Sequence, residues 1–408
     1  MAAPKMPPKT PIERPNRLDF LDILRGLAVL AIFFVNIKSM FAPFPYYTNP
    51  TLWPGEYDML VATLQTFFID DKWRTIFTLL FGTGIALMTE RFDRQESQEK
   101  ASTALLMRRL GFLAGFGLIH LLLIWNGDIL FVYAISGLVL LAFRQMDQKN
   151  LARWITILFA INFIWMMIFD LGPTFDQELL MEVSGYVWGT DLWYIEEAKN
   201  IALGNISDQM SARLSDAGAY IFLYYLLGGR WLETLIIMLS GMWLFRHGFF
   251  NPAFPKRRYL NLAVIGLGIA FTLDTIRLLA MHLSEWSFNT WSWTETLNRM
   301  DGYFGAVGYM GLVGFLIAMG WRPKMLMATG RMAFTNYIAC SLIGTSMAYG
   351  HGLKMFGTLT NLQLMGLAGA ISIAILFWST IWLTFFRFGP LEWIWRSLTY
   401  GQPQKLRA

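Results

Sequence analysis

Apolar runs of fifteen to twenty-seven residues, separated by short segments that are alternately basic and acidic or aromatic, organise this chain. The first run, 18–37, carries Asp22, Arg25 and Asn36 among Leu, Ile, Val, Ala and Phe. At ~100° per residue these three fall within roughly 60° of one another on a helix, so they form one polar stripe. A charge facing lipid costs several kcal/mol, so the stripe must face protein or water. Further runs follow at 73–88, 110–124, 129–143, 154–171, 219–245, 260–282, 303–320, 333–349 and 362–386. The pattern predicts an all-α polytopic transmembrane bundle of about ten spans.

Charge orients it. Lys5, Lys9, Arg14 and Arg17 precede the first run, and Arg91, Arg94, Lys100, Arg108 and Arg109 fill the loop assigned to 90–109. Arg144, Lys149, Arg153, Arg246, Lys256, Arg257, Arg258, Arg322 and Lys324 keep the same alternation. The positive-inside rule then puts both termini in the cytoplasm. The division is a disordered tail (1–17), an N-terminal membrane half of five spans (18–171), an acidic extracytoplasmic segment (172–218), a C-terminal half of five spans (219–386) and an interfacial tail (387–408). Gly82 and Gly84 read as places where another helix approaches closely. No internal repeat is visible, so an inverted-repeat transporter design gains no support.

Composition agrees with the pattern and excludes other classes. The chain is 55% hydrophobic and 15% charged, with a mean hydropathy of +0.43; a water-soluble surface cannot be built from it. The lipid bilayer is therefore the first partner. The net charge of +5 lies at the ends of apolar runs, which is no nucleic-acid footprint. The single cysteine, Cys340, precludes an internal disulfide.

Candidate chemistry sits where polar residues enter the spans. His120 lies near the outer end of the third run, with Asp128 just beyond the turn at 125–128. Histidine is the usual general base, and a neighbouring carboxylate orients its ring; a histidine bonded inside the bundle is the plainer alternative. Arg230 and Glu233, like Asp274 and Arg277, are three residues apart and so share a helix face. Such pairs are more often structural struts than catalytic groups, but their common depth points to a polar cavity opening outward. No metal-ligand spacing, phosphate-binding glycine loop or nucleophile elbow occurs.

Five ordered motifs then carry a family resemblance: LDILRGLAVLAIFFVNI, TLLFGTGIAL, GLIHLLLIWNGDIL, TGRMAFTNY and GPLEWIWRSLTYG. Together they resemble the YeiB-like bacterial inner-membrane proteins, whose C-terminal half is a domain of unknown function. The first motif is also similar to that of transmembrane acyltransferases, including the heparan-alpha-glucosaminide N-acetyltransferase group. That resemblance implies an acyl group taken from cytoplasmic acyl-coenzyme A and passed to an acceptor at the outer face. Acyl-CoA is then a donor substrate, and no tightly bound cofactor is expected. Related enzymes carry Arg, ten residues, then His in the first helix. Here Arg25 and Asn36 keep the spacing, but an amide cannot act as a base, which leaves His120, oriented by Asp128, for that role. Arg25 and Asn36 would meet the donor, and Asp274, Arg277, Arg230 and Glu233 the lipid, sugar or small-molecule acceptor. Transport, or lipid or quinone binding without catalysis, is the alternative. A homodimer is compatible with either.

Overall fold

The computed structural model describes residues 19–93, 99–175, 177–189 and 191–407; the tail assigned to 1–17 lies outside them. Among the described residues the chain is all-helical. In order the helices are α1 (Asp19–Phe41), α2 (Phe44–Thr48), α3 (Asp58–Phe68), α4 (Lys72–Asp93), α5 (Glu99–Ile119), α6 (Leu130–Leu140), α7 (Gln148–Phe175), α8 (Gln177–Trp188) and α9 (Leu192–Leu203). They continue with α10 (Ile206–Ala219), α11 (Arg230–Arg246), α12 (Lys256–Leu283), α13 (Phe288–Ala318), α14 (Lys324–Arg331), α15 (Ala333–Ala348), α16 (Asn361–Phe385) and α17 (Pro390–Tyr400).

Among the described residues, six helical stretches are long and apolar enough to cross a membrane: Asp19–Phe41, Ser102–Ile124, Gln148–Gly172, Lys256–Leu283, Phe288–Ala318 and Asn361–Phe385. This corrects the expected count of about ten. The other four runs form α4, α6, α11 and α15. At 1.5 Å per residue, the 17 residues of α11 and 16 of α15 reach only ~24–26 Å, short of the ~30 Å hydrocarbon core. Helix α6 is shorter still, at 11 residues. Helix α4 is long enough, but buries Lys72, Thr75, Thr78, Thr83 and Thr89 instead of presenting an apolar face to lipid. The loop assigned to 90–109 is also helical over most of its length, because α4 runs to Asp93 and α5 begins at Glu99.

Glycine sets the closest helix contacts. A Cβ on Gly82 would lie 2.0 Å from the carbonyl oxygen of Met238, and one on Gly241 would lie 2.0 Å from that of Leu79. Helices α4 and α11 thus meet backbone to backbone, as small residues allow. Gly84 instead faces a cavity, where Arg25 is its nearest neighbour. Every third residue of α13 from Gly302 to Gly314 is glycine, and Gly308 lies against Gly266 of α12. Forcing a side chain between α4 and α11 costs about 1–3 kcal/mol. Gly241→Val should therefore lower the thermal midpoint in detergent, and an unchanged midpoint would contradict the backbone contact.

Candidate functional site

A cavity of about 240 Å³ opens among α1, α4, α5, α6, α14, α15 and α17. Its wall is leucine, isoleucine and phenylalanine, with Leu80, Phe81, Leu110 and Phe334 among them. Its charges are Arg25, Arg91, Arg109, Arg331 and Arg396 against Asp22 and Glu392. Five cations less two anions leave an excess of three positive charges. An apolar wall with a cationic border suits an amphipathic anion: a chain in the interior, and phosphate or carboxylate at the guanidinium groups.

The local structure explains how these groups are held. Arg25 donates to Asp22 at 3.4 Å, an i,i+3 pair on the polar stripe of α1. The Arg109 guanidinium stacks 3.6 Å over the Trp395 ring, and Trp395 Nε1 donates to the Arg109 carbonyl at 2.9 Å, so α17 is clamped to α5. Glu392 caps α15, which has no side-chain cap of its own. It accepts from the backbone N–H groups of Phe334 (2.8 Å) and Thr335 (3.1 Å) and from the Thr335 hydroxyl (2.6 Å). Burial pushes the Glu392 carboxyl above the usual glutamate range, and those same hydrogen bonds pull it back only in part.

His120 and Asp128 meet as the sequence suggested. His120 Nδ1 lies 2.8 Å from Asp128 Oδ1, and both side chains are 1% exposed. The other carboxylate oxygen of Asp128 accepts from Phe131 N at 2.7 Å, and the Asp128 carbonyl accepts from the Tyr225 hydroxyl at 3.0 Å. The carboxylate is thus fixed from both sides. At His120 the helix widens into a π turn, His120–Ile124, closed by Trp125 N donating to the His120 carbonyl at 2.8 Å. Such turns recur at functional sites because they re-aim a side chain. His120 Nε2 is buried with no hydrogen-bond partner.

Tyr337 of α15 joins the two features. It lines the cavity, and its ring lies 5.1 Å from that of His120, which does not itself line the cavity. Tyr337 also borders a second, ~10 Å³ void shared with Asn36, Cys340 and Ser341. Arg25 and Asn36 therefore face different spaces, eleven residues or ~16 Å apart along α1.

The second group of candidates lies elsewhere, in a web of buried ion pairs joining α4, α11, α12 and α13. Arg230 donates to Glu233 at 3.1 Å, and Arg74 donates to Glu233 at 3.0 Å and to Asp71 at 2.7 Å. Asn298 donates to Asp71 at 3.2 Å, and Arg277 donates to Asn298 at 3.2 Å and to Glu295 at 2.8 Å. Asp274 and Arg277, read as an i,i+3 pair, point to different partners: Asp274 sits 3.2 Å from Lys72. Four of the sequence candidates (Arg230, Glu233, Asp274 and Arg277) thus belong to this web, while Arg25 borders the cavity.

Comparison with known proteins bears on identity. Residues 244–402 match the family described as protein of unknown function DUF418. The chain is 29% identical over 411 residues to the uncharacterised protein YxaH of Bacillus subtilis (strain 168), covering 94% of each. It is 30% identical over 389 residues to the uncharacterised protein YeiB of Escherichia coli (strain K12), covering 93% of this chain and 95% of that one. The chain belongs to the YeiB-like family. In this YeiB-like protein the DUF418 match contains Asp274, Arg277, Tyr337, Glu392 and Arg396, whereas Arg25, His120 and Asp128 precede it. Both parts are needed to build the cavity.

Sequence reasoning missed several residues of this YeiB-like architecture. Arg109 read as a cytoplasmic flank, Arg396 fell in the interfacial tail assigned to 387–408, and Arg331 was not singled out. Asp301 fell between the runs read at 260–282 and 303–320, but α13 begins at Phe288, so Asp301 lies inside it. Ser287, whose hydroxyl accepts from Thr290 N, was the available N-cap signal. Among the described residues no group of three His, Cys, Asp or Glu is arranged to hold a metal.

Proposed function

We propose that this protein is a multi-pass transmembrane acyltransferase of the bacterial inner membrane, with its basic loops in the cytoplasm. It takes an acyl group from cytoplasmic acyl-coenzyme A and transfers it to a hydroxyl or amine acceptor at the outer face. The observation that carries the reading is the cationic, apolar-walled cavity with an aspartate-oriented histidine behind one of its lining residues. A whole coenzyme A is too large for a cavity of about 240 Å³, so its phosphates would remain at the arginine border. His120 Nε2 would take the acceptor's proton as the acceptor attacks the thioester carbonyl. The C–S bond breaks, and the coenzyme A thiolate leaves with that proton. Tyr337 would have to turn aside for the acyl carbon to reach the ring.

Purified protein in nanodiscs, titrated with coenzyme A and with acyl donors of increasing length, tests the donor site. Charge-assisted hydrogen bonds contribute about 1.5–3 kcal/mol each, so Arg25→Gln and Arg109→Gln should each weaken donor binding about 10- to 100-fold. Release of free coenzyme A from labelled donors tests the chemistry. Saturable binding without release would favour the second reading, a binding or transport protein for an amphipathic anion. Binding unaffected by either arginine substitution would remove the cavity from both readings.

A further inference from the structure

Lys72 opens α4 and is wholly buried. Its ammonium donates to the Thr66 carbonyl at 2.7 Å and to Asp301 Oδ2 at 2.5 Å, and lies 3.2 Å from Asp274 Oδ2. Both carboxyl side chains are 0% exposed. The fold is cut to fit this lysine: a Cβ on Gly305 of α13 would lie 2.7–3.1 Å from its Cγ, Cδ and Cε. One cation against two carboxylates leaves one negative charge unbalanced in a dry interior, which costs several kcal/mol. The surrounding groups do not cancel it. Arg277 lies within electrostatic range of Asp274, but its charge is matched by Glu295, to which it donates, as it does to Asn298; the charge of Lys38 is opposed by that of Asp70, and Tyr309 is neutral as a phenol.

The oxygens tell the same story independently. Oδ1 of Asp274 and Oδ1 of Asp301 are buried with no hydrogen-bond partner, and Asp274 Oδ2 has none beside its ion pair with Lys72 at 3.2 Å. The two carboxyls also converge on one ammonium, Asp301 Oδ2 at 2.5 Å and Asp274 Oδ2 at 3.2 Å. Two ionised carboxylates are acceptors only, and their contact is favourable only with a proton between them. We infer that Lys72, Asp274 and Asp301 form a proton-binding site inside the bundle, with one exchangeable proton shared by the two carboxyls. A metal cation in the same place would have to sit against the ammonium. Protonatable, ion-paired carboxyls within a membrane-embedded bundle are the chemistry of proton relays and proton-coupled transport. This activity is separate from acyl transfer and does not depend on it.

Infrared spectroscopy of the protein in nanodiscs tests the inference. Wild type at neutral pH should show a protonated carboxyl C=O band that shifts in D₂O. Asp274→Asn and Asp301→Asn should each lose that band, because the remaining carboxylate then pairs one-to-one with Lys72. Exchange of potassium for sodium buffer should leave it unchanged. A band missing from wild type, one that neither variant weakens, or one displaced by sodium would overturn the site. Should either variant fail to fold, wild type carrying ¹³C-carboxyl aspartate gives the same decision. An isotope-shifted protonated aspartic acid band at neutral pH supports the site, and its absence overturns it.

Discussion

Lys72→Met should destabilise the folded protein by about 3–5 kcal/mol, the usual cost of removing one partner from a buried ion pair. Methionine nearly matches the lysine stem, so the packing against Gly305 would persist. The loss is electrostatic: two buried carboxyls keep their place without the ammonium that Asp301 and Asp274 now share, and the Thr66 carbonyl loses its donor. Thermal or denaturant unfolding in detergent measures it. Charge arithmetic predicts an unusual pattern across a small set of variants. Asp274→Asn or Asp301→Asn leaves one carboxylate on one ammonium and should be tolerated. The double Asn variant strands Lys72 and should be as damaging as Lys72→Met. Lys72→Met combined with Asp301→Asn should recover part of the loss, because one fewer acid remains to be neutralised. A midpoint for Lys72→Met within about 0.5 kcal/mol of wild type, the range of an unremarkable surface change, would mean that this cluster does not hold α4 to α12 and α13.

The same cluster shows where sequence reading reaches its limit. Elements with a local signature were legible. The first run, read as 18–37, is α1 at Asp19–Phe41, and the last, read as 362–386, is α16 at Asn361–Phe385 behind a Thr360 capping box. The i,i+3 pairs Asp22–Arg25 and Arg230–Glu233 form because a helix puts such residues on one face. The His120–Asp128 contact was legible because the Asn126–Gly127 turn brings residues eight apart together. Lys72 and Asp301 are 229 residues apart, and nothing local links them. Asp274 has two basic residues to choose between, and Arg277, the nearer in sequence, is not the one it takes. The cavity was illegible for a related reason. Its five arginines come from α1, α4, α5, α14 and α17; Arg25 stood out inside the first run, but Arg91 and Arg109 look like ordinary cytoplasmic flanks, and nothing local joins the five. The span count went astray because apolarity measures burial as well as lipid contact, and α11 is apolar through burial inside the protein.

His120→Ala should reduce turnover about 10²- to 10⁴-fold if His120 is the general base, the range that base catalysis contributes. Binding of the donor should be nearly unchanged, because His120 does not line the cavity and its contact with it runs through Tyr337. The effect should therefore fall on kcat and not on KM. Alanine also leaves Asp128 buried with Oδ1 lacking its partner, so His120→Gln is the sharper variant: it keeps a donor toward Asp128 but has no base to offer. The two variants should be equally inactive and differ only in stability. Asp128→Asn makes a different statement. It keeps the shape while removing the charge that orients the ring, so it should lower kcat and alter the pH–rate profile without abolishing turnover. Full activity in His120→Gln would place the base elsewhere. Loss of stability in Asp128→Asn with an unchanged pH profile would make the pair a structural strut beneath the π turn, and the cavity would then be read as a binding site alone.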